Sequence, residues 1–168
     1  MRRTALIALV SLFLTACGSE GLDIEPSDVP IWFGQHHAEI DAIAKEFQAN
    51  PCLRRVELGS MKYIDQYCPS NASLAHAIAR VQSQLRSLNV VLAVADRNQT
   101  AEGRPLEGFS VLLRRWGIAV SGGGFELYFT TQQSDWLKKG IACGEMAPLD
   151  SAGWYLRHLS SENACRSN

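Results

Sequence analysis

The hydrophobic period of this chain changes once, after Leu88, and that change restricts the possible folds more than any other feature. Before it, apolar residues recur at helical spacing. In "HHAEIDAIAKEFQAN", Ile40, Ile43, Ala44 and Phe47 fall on one face, and Pro51 stops the run. In "SNASLAHAIARVQSQLRSLN" a Ser/Asn cap precedes a stripe of Leu74, Ile78, Val81, Leu85 and Leu88. After it, the segments are short, apolar or alternating, and separated by turn residues. "VVLAVAD", "FSVLLRRWGIAV", "FELYFTT" and "GWYLRHLS" each have strand character, and Ser121-Gly122-Gly123-Gly124 suits a hairpin turn between the second and third. "LRRVELG" is a weaker strand, and "MKYIDQYC" has the length of a helical turn that sets Tyr63 beside Tyr67. Helices first and antiparallel strands afterwards predict an α+β domain, two N-terminal helices packed on an antiparallel meander of about four strands.

The start of the chain follows different rules. Arg2 and Arg3 precede an uncharged apolar run from Ala5 to Leu14, the layout of an export signal. That run is too short to span ~30 Å of hydrocarbon, which takes about 20 apolar residues. Leu14-Thr15-Ala16-Cys17 then resembles the lipobox of bacterial lipoproteins, with Leu14, Ala16 and Cys17 all matching. The resemblance covers this segment alone. It implies cleavage of residues 1–16, acylation of Cys17, and anchoring by several chains where one would bind only marginally. Because Gly18, not Asp, follows the cysteine, it also implies the periplasmic face of the outer membrane.

On that reading, residues 17–31 are the lipidated cysteine and an acidic flexible tether, since "GSEGLDIEPSDVP" is polar and carries two prolines. Residues 32–168 form one domain. Removing residues 1–16 leaves 152 of the 168 residues and moves the formal charge from −1 to −3. A hydrophobic content of 46% and a charged content of 20% are those of a globular chain. The charge is uneven: seven acidic residues face Lys45 alone from Cys17 to Asn50, whereas thirteen basic residues face ten acidic ones from Pro51 onward. An excess of three is too small to indicate nucleic acid, and no nucleic-acid partner is expected.

Taking Cys17 as lipidated leaves Cys52, Cys68, Cys143 and Cys165, an even number suited to two disulfides in an oxidising compartment. Three connectivities are possible. Cys52 with Cys68 and Cys143 with Cys165 are favoured because each pair is close in sequence and lies in a turn-rich flank. The lack of a C-x-x-C pair argues against structural zinc.

Chemistry-bearing patterns are sparse. His36, His37, Glu39 and Asp41 form the densest set of potential metal ligands, but acidic residues at a helix start are also favoured by its dipole, and no H-E-x-x-H is present. Gly122-Gly123-Gly124 lacks the spacing of either phosphate-binding glycine motif. Neither G-x-S-x-G nor S-x-x-K occurs. A hydrolase built on two carboxylates carries no fixed spacing, so Glu126 and Asp150, near strand ends, are its candidates. No cofactor is indicated.

Trp32, Trp116, Trp136, Trp154 and Tyr155 supply aromatic surface for either a core or an interface, with core packing favoured for Trp116 and Tyr155. In "SDWLKKGIACG", Trp136, Lys138 and Lys139 lie on an expected loop held by Cys143, which makes these three residues the candidates for partner binding. The expectation is therefore a non-catalytic, membrane-anchored protein-binding module, an immunity protein or an inhibitor of a toxic or cell-wall-lytic enzyme, with the Ser134–Gly144 loop filling the enzyme's cleft. An envelope-assembly or peptidoglycan-contacting lipoprotein and a small cell-wall hydrolase are the alternatives.

Overall fold

The computed structural model describes residues 20–59, 62–64, 72–96, 108–116, 122–159 and 165. It is an α+β fold with an antiparallel sheet, and it exceeds the sequence expectation in both helices and strands. Three helices, α1 (Val29–Ala49), α2 (Ala72–Leu88) and α3 (Asp135–Ala142), accompany β1 (Glu20–Gly21), β2 (Leu53–Glu57), β3 (Lys62–Ile64), β4 (Leu92–Asp96), β5 (Gly108–Trp116), β6 (Gly123–Phe129), β7 (Met146–Pro148) and β8 (Trp154–Leu159). Seven strands follow one another in the order β3-β2-β4-β5-β6-β8-β7, and β1 pairs with the end of β5. The four strands clearest in the sequence are the contiguous middle of this sheet, β4-β5-β6-β8. The segment expected to form a helical turn contains β3, antiparallel to β2. Among the described residues, no helix is long and apolar enough to cross a membrane.

Alternation along the strands separates two faces. Ala93, Ala95, Phe109, Val111, Leu113, Phe125, Leu127, Trp154 and Leu156 point to the helix side and are buried. They meet Phe33, Ile40, Ile43 and Phe47 of α1 and Leu74, Ile78, Val81 and Leu85 of α2, which is the single apolar stripe that each helical period requires. Glu46 of α1 accepts two hydrogen bonds from the Arg80 guanidinium of α2, at 2.6 and 2.8 Å, and the pair holds the Glu46 carboxyl below its usual range. Asn89 ends α2 with φ 54°, a left-handed position that asparagine tolerates, and turns the chain directly into β4.

The acidic tether expected over residues 17–31 is, from Glu20 onward, part of the fold. Glu20 and Gly21 pair with Arg115 and Arg114 of β5, Leu22 N–H donates to the Leu113 carbonyl at 2.7 Å, and Pro26–Asp28 form a 3-10 turn leading into α1. Two of its acidic side chains lie beside basic partners. Arg115 Nε donates to Glu20 at 2.8 Å, and Arg114 Nη1 lies 3.3 Å from Asp23. Gly21 has φ 103°, and a Cβ there would overlap the Leu113 carbonyl, so only glycine permits this pairing. The described fold thus includes residues 20–31, the twelve that precede the expected boundary at residue 32.

Candidate functional site

The second face of the sheet carries the polar chemistry. Alternation in β6 sends Glu126 and Tyr128 away from the helices, and alternation in β8 does the same for Tyr155 and Arg157. Register places Glu126 opposite Arg157 and Tyr128 opposite Tyr155. The segment 134–144 then folds over these residues. It is a helix, not the expected loop. Ser134 caps it by accepting the Leu137 N–H at 3.2 Å, Asp135 occupies the first turn, and Leu137 and Gly140 are buried. Leu137 packs with Met146, Tyr155 and Tyr128 in a small second core, and a Cβ on Gly140 would press on the Met146 side chain at 3.2 Å.

Arg157 is the hub of this face. Its Nη1 donates to Glu126 at 3.1 Å, its Nε donates to Glu145 at 3.2 Å, and its guanidinium carbon lies 5.0 Å from the centre of the Trp136 ring. The same indole meets Tyr128 edge-on at 5.3 Å. A cation held between two carboxylates and an aromatic face is fixed in position, and it fixes Trp136 in turn. Glu126 is only 9% exposed. Burial raises its pKa above the ordinary glutamate range, against the opposing pull of Arg157 and a hydrogen bond from Ser110. Burial also raises the Tyr128 pKa, with Asp96 adding to it. Gly108 leaves the space that the Tyr128 hydroxyl fills, since a Cβ there would stand 2.6 Å from that oxygen.

The outward side of α3 holds the three residues singled out for partner binding. Trp136 is 45% exposed, Lys138 and Lys139 are exposed, and Ile141 adds apolar surface at 40% exposure. Lys138 lies 3.5 Å from Asp135. Below the helix, Cys143 is joined to Cys165, 22 residues later, which fastens the C-terminal end of α3. Replacing both cysteines with serine is expected to lower stability by about 3 kcal/mol, the loop-closure entropy for a ring of this size. A chemical-denaturation midpoint on the double variant, with the other cysteines intact, measures it.

Two carboxylates proposed for hydrolysis are occupied structurally. Glu126 is paired with Arg157 and mostly buried. Asp150 Oδ1 accepts the N–H groups of Ala152, Gly153 and Trp154 at 2.9, 3.1 and 3.0 Å, closing the turn into β8. The histidine cluster is drawn into the same turn. His37 lies 3.5 Å from both Asp41 and Asp150, linking α1 to the loop before β8, while His36 lies 3.5 Å from Glu39. Cys143, Glu145 and Cys165 gather three potential metal donors within 4.8 Å, but both sulfurs are taken by the disulfide. Cys52 is also disulfide-bonded, whereas Cys68, like Cys17, lies outside the described residues.

Sequence reasoning missed Arg157, Glu145 and Tyr128. The alternation in "GWYLRHLS" puts Tyr155 and Arg157 on one face, but their partners come from strands and turns fixed only by the sheet. Trp116 is 44% exposed at the end of β5, not in the core, while Tyr155 is buried beneath α3. A groove of about 470 Å³ lies at that same end of the sheet, among Glu20, Glu57, Leu58, Asn89, Val91 and Arg115. Comparison with known protein families, with characterised proteins and with solved structures finds no match.

Proposed function

We propose that this chain is a lipid-anchored periplasmic module, attached through Cys17 at the outer membrane, that binds and blocks an exported protein with the α3 surface. The observation that supports it is the stapled helix. Trp136 is exposed yet held by Arg157 and Tyr128, with Lys138, Lys139 and Ile141 around it. A half-exposed tryptophan with little freedom left to lose has the properties of an interface hot spot, because ordering costs on binding are already met. Lysines beside it favour an acidic partner surface, such as the rim of a hydrolase cleft, and steer its approach. In this role the protein is an immunity protein or an inhibitor of a toxic or cell-wall-lytic enzyme, acting by occlusion without chemistry of its own.

The test is capture and inhibition. The domain without its anchor is expected to retain a lytic or toxic enzyme from periplasmic extract or rival culture fluid and to inhibit it at one-to-one stoichiometry. Trp136→Ala is expected to weaken that complex by at least about 2 kcal/mol, roughly 30-fold in Kd. Retention of the domain on purified cell-wall sacculi, with no enzyme captured, would replace this role with an envelope-maintenance one.

A further inference from the structure

We infer that the end of the sheet carrying Leu58, Asn89, Arg115 and Trp116 is the surface that rests on the bilayer, with Trp116 seated in the lipid interfacial zone. This rests on acylation of Cys17 as proposed above. Its independent support is the short chain between that residue and the fold. β1 begins at Glu20, so three peptide units separate it from Cys17, and these reach at most about 11 Å when fully extended. A body tied so closely cannot present an arbitrary face to the membrane.

Register decides which face is presented. Glu20 pairs with Arg115 and Gly21 with Arg114 in an antiparallel sense, so β1 starts at the Trp116 end of the sheet. The same end collects the start of β6 at Gly123, which pairs with Trp116, and the end of β8 at Leu159, which pairs with Gly124. Asn89, at the end of α2, reaches Gly21 there, its Nδ2 3.4 Å from the Gly21 carbonyl. The groove described above opens between these elements, lined by Leu58 at 37% exposure.

The composition of this end suits the interface between headgroups and hydrocarbon. Trp116 exposes much of an indole whose apolar body and N–H donor match that zone, and Leu58 adds an aliphatic side chain. Two ion pairs within the protein neutralise charge beside them, Arg115 with Glu20 and Arg55 with Glu57. Zwitterionic lipid is therefore a sufficient surface, since the tether and the apolar contacts hold the domain down. Trp136 sits over the Glu126–Arg157 pair, two residues in from the Gly124–Leu159 row and on the face opposite the one where Trp116 meets Phe125.

The test uses the full acylated chain in vesicles of phosphatidylcholine brominated high on the acyl chains. Wild-type tryptophan emission is expected to be quenched, Trp116→Phe to lose most of that quenching, and Trp136→Phe to keep it. Incorporation of radiolabelled palmitate, abolished by Cys17→Ser, reports the anchor separately. Acylated protein whose quenching survives Trp116→Phe, or disappears with Trp136→Phe, overturns the orientation alone. No palmitate at Cys17 overturns the anchored reading and the orientation with it.

Discussion

Replacing Arg157 with alanine is expected to destabilise the fold by about 3 kcal/mol at neutral pH, the lower end of the cost of leaving a buried charge uncompensated. The lower end applies because Arg157 itself is 27% exposed. Three losses coincide in this variant. Glu126 keeps its burial and loses the cation opposite it, Glu145 loses its donor, and Trp136 loses the group beneath its ring. The effect depends on pH in a direction that can be worked out. Glu126 already has a raised pKa in the folded state, so the native protein binds its proton more readily than the unfolded chain does. Its contribution is greatest below the ordinary glutamate pKa, about 4.3, and is lost as pH rises through the higher folded value. Without Arg157 the folded pKa rises further, which widens that window. The destabilisation should therefore be smaller at pH 5 than at pH 8, and adding Glu126→Gln should recover part of it at pH 8. Denaturant titrations of the single and double variants at both pH values measure this. An equal loss at the two pH values would mean that Arg157 acts by packing alone.

How much of this hub could be seen in the sequence depends on what carries each contact. The helical stripes of α1 and α2 and the alternation of β4, β5, β6 and β8 are local patterns, and each appears where its spacing places it. The short strands β3 and β7 have three residues each, too few for a period to show. α3 was legible in part. Ser134 is a helix cap, and Leu137 and Ile141 are one turn apart, but a Lys-Lys-Gly run before a cysteine has the composition of a loop. The ordered acidic segment after Glu20 is the clearest case of long-range override. Nothing in "EGLDIEPSD" predicts folding, because its partners, Leu113, Arg114 and Arg115, lie about 90 residues further along. Glu126 and Arg157 are 31 residues apart, and only sheet register brings them opposite.

The four tryptophans turn the same distinction into a measurable contrast. Trp154 is 2% exposed, and its ring is packed against Phe33 of α1, Phe109 of β5 and Phe129 of β6, at centroid separations of 5.6, 6.1 and 5.1 Å. It is the side chain through which α1 and three adjacent strands share one contact. Trp154→Ala is expected to cost about 3–5 kcal/mol, the transfer energy of the ring plus the cavity it leaves. That is a large part of the 5–15 kcal/mol typical of a domain's whole stability, so the variant should be partly unfolded near 37 °C. Trp154→Phe retains an aromatic ring against the other three and should cost less. At Trp116, 44% exposed, alanine is expected to change stability by no more than about 0.5 kcal/mol in the unanchored domain. Denaturation midpoints read at unchanged m-value separate these outcomes, since a change in m would mark an altered denatured state and not a lost core contact. The strand also connects the core to the binding face. Trp154 on the helix side and Arg157 on the other are three residues apart in β8, and loosening the ring should let the Arg157–Trp136 contact move with it. Trp154→Ala should therefore weaken partner capture even at temperatures where the domain remains folded, while Trp116→Ala should leave capture by the unanchored domain unchanged.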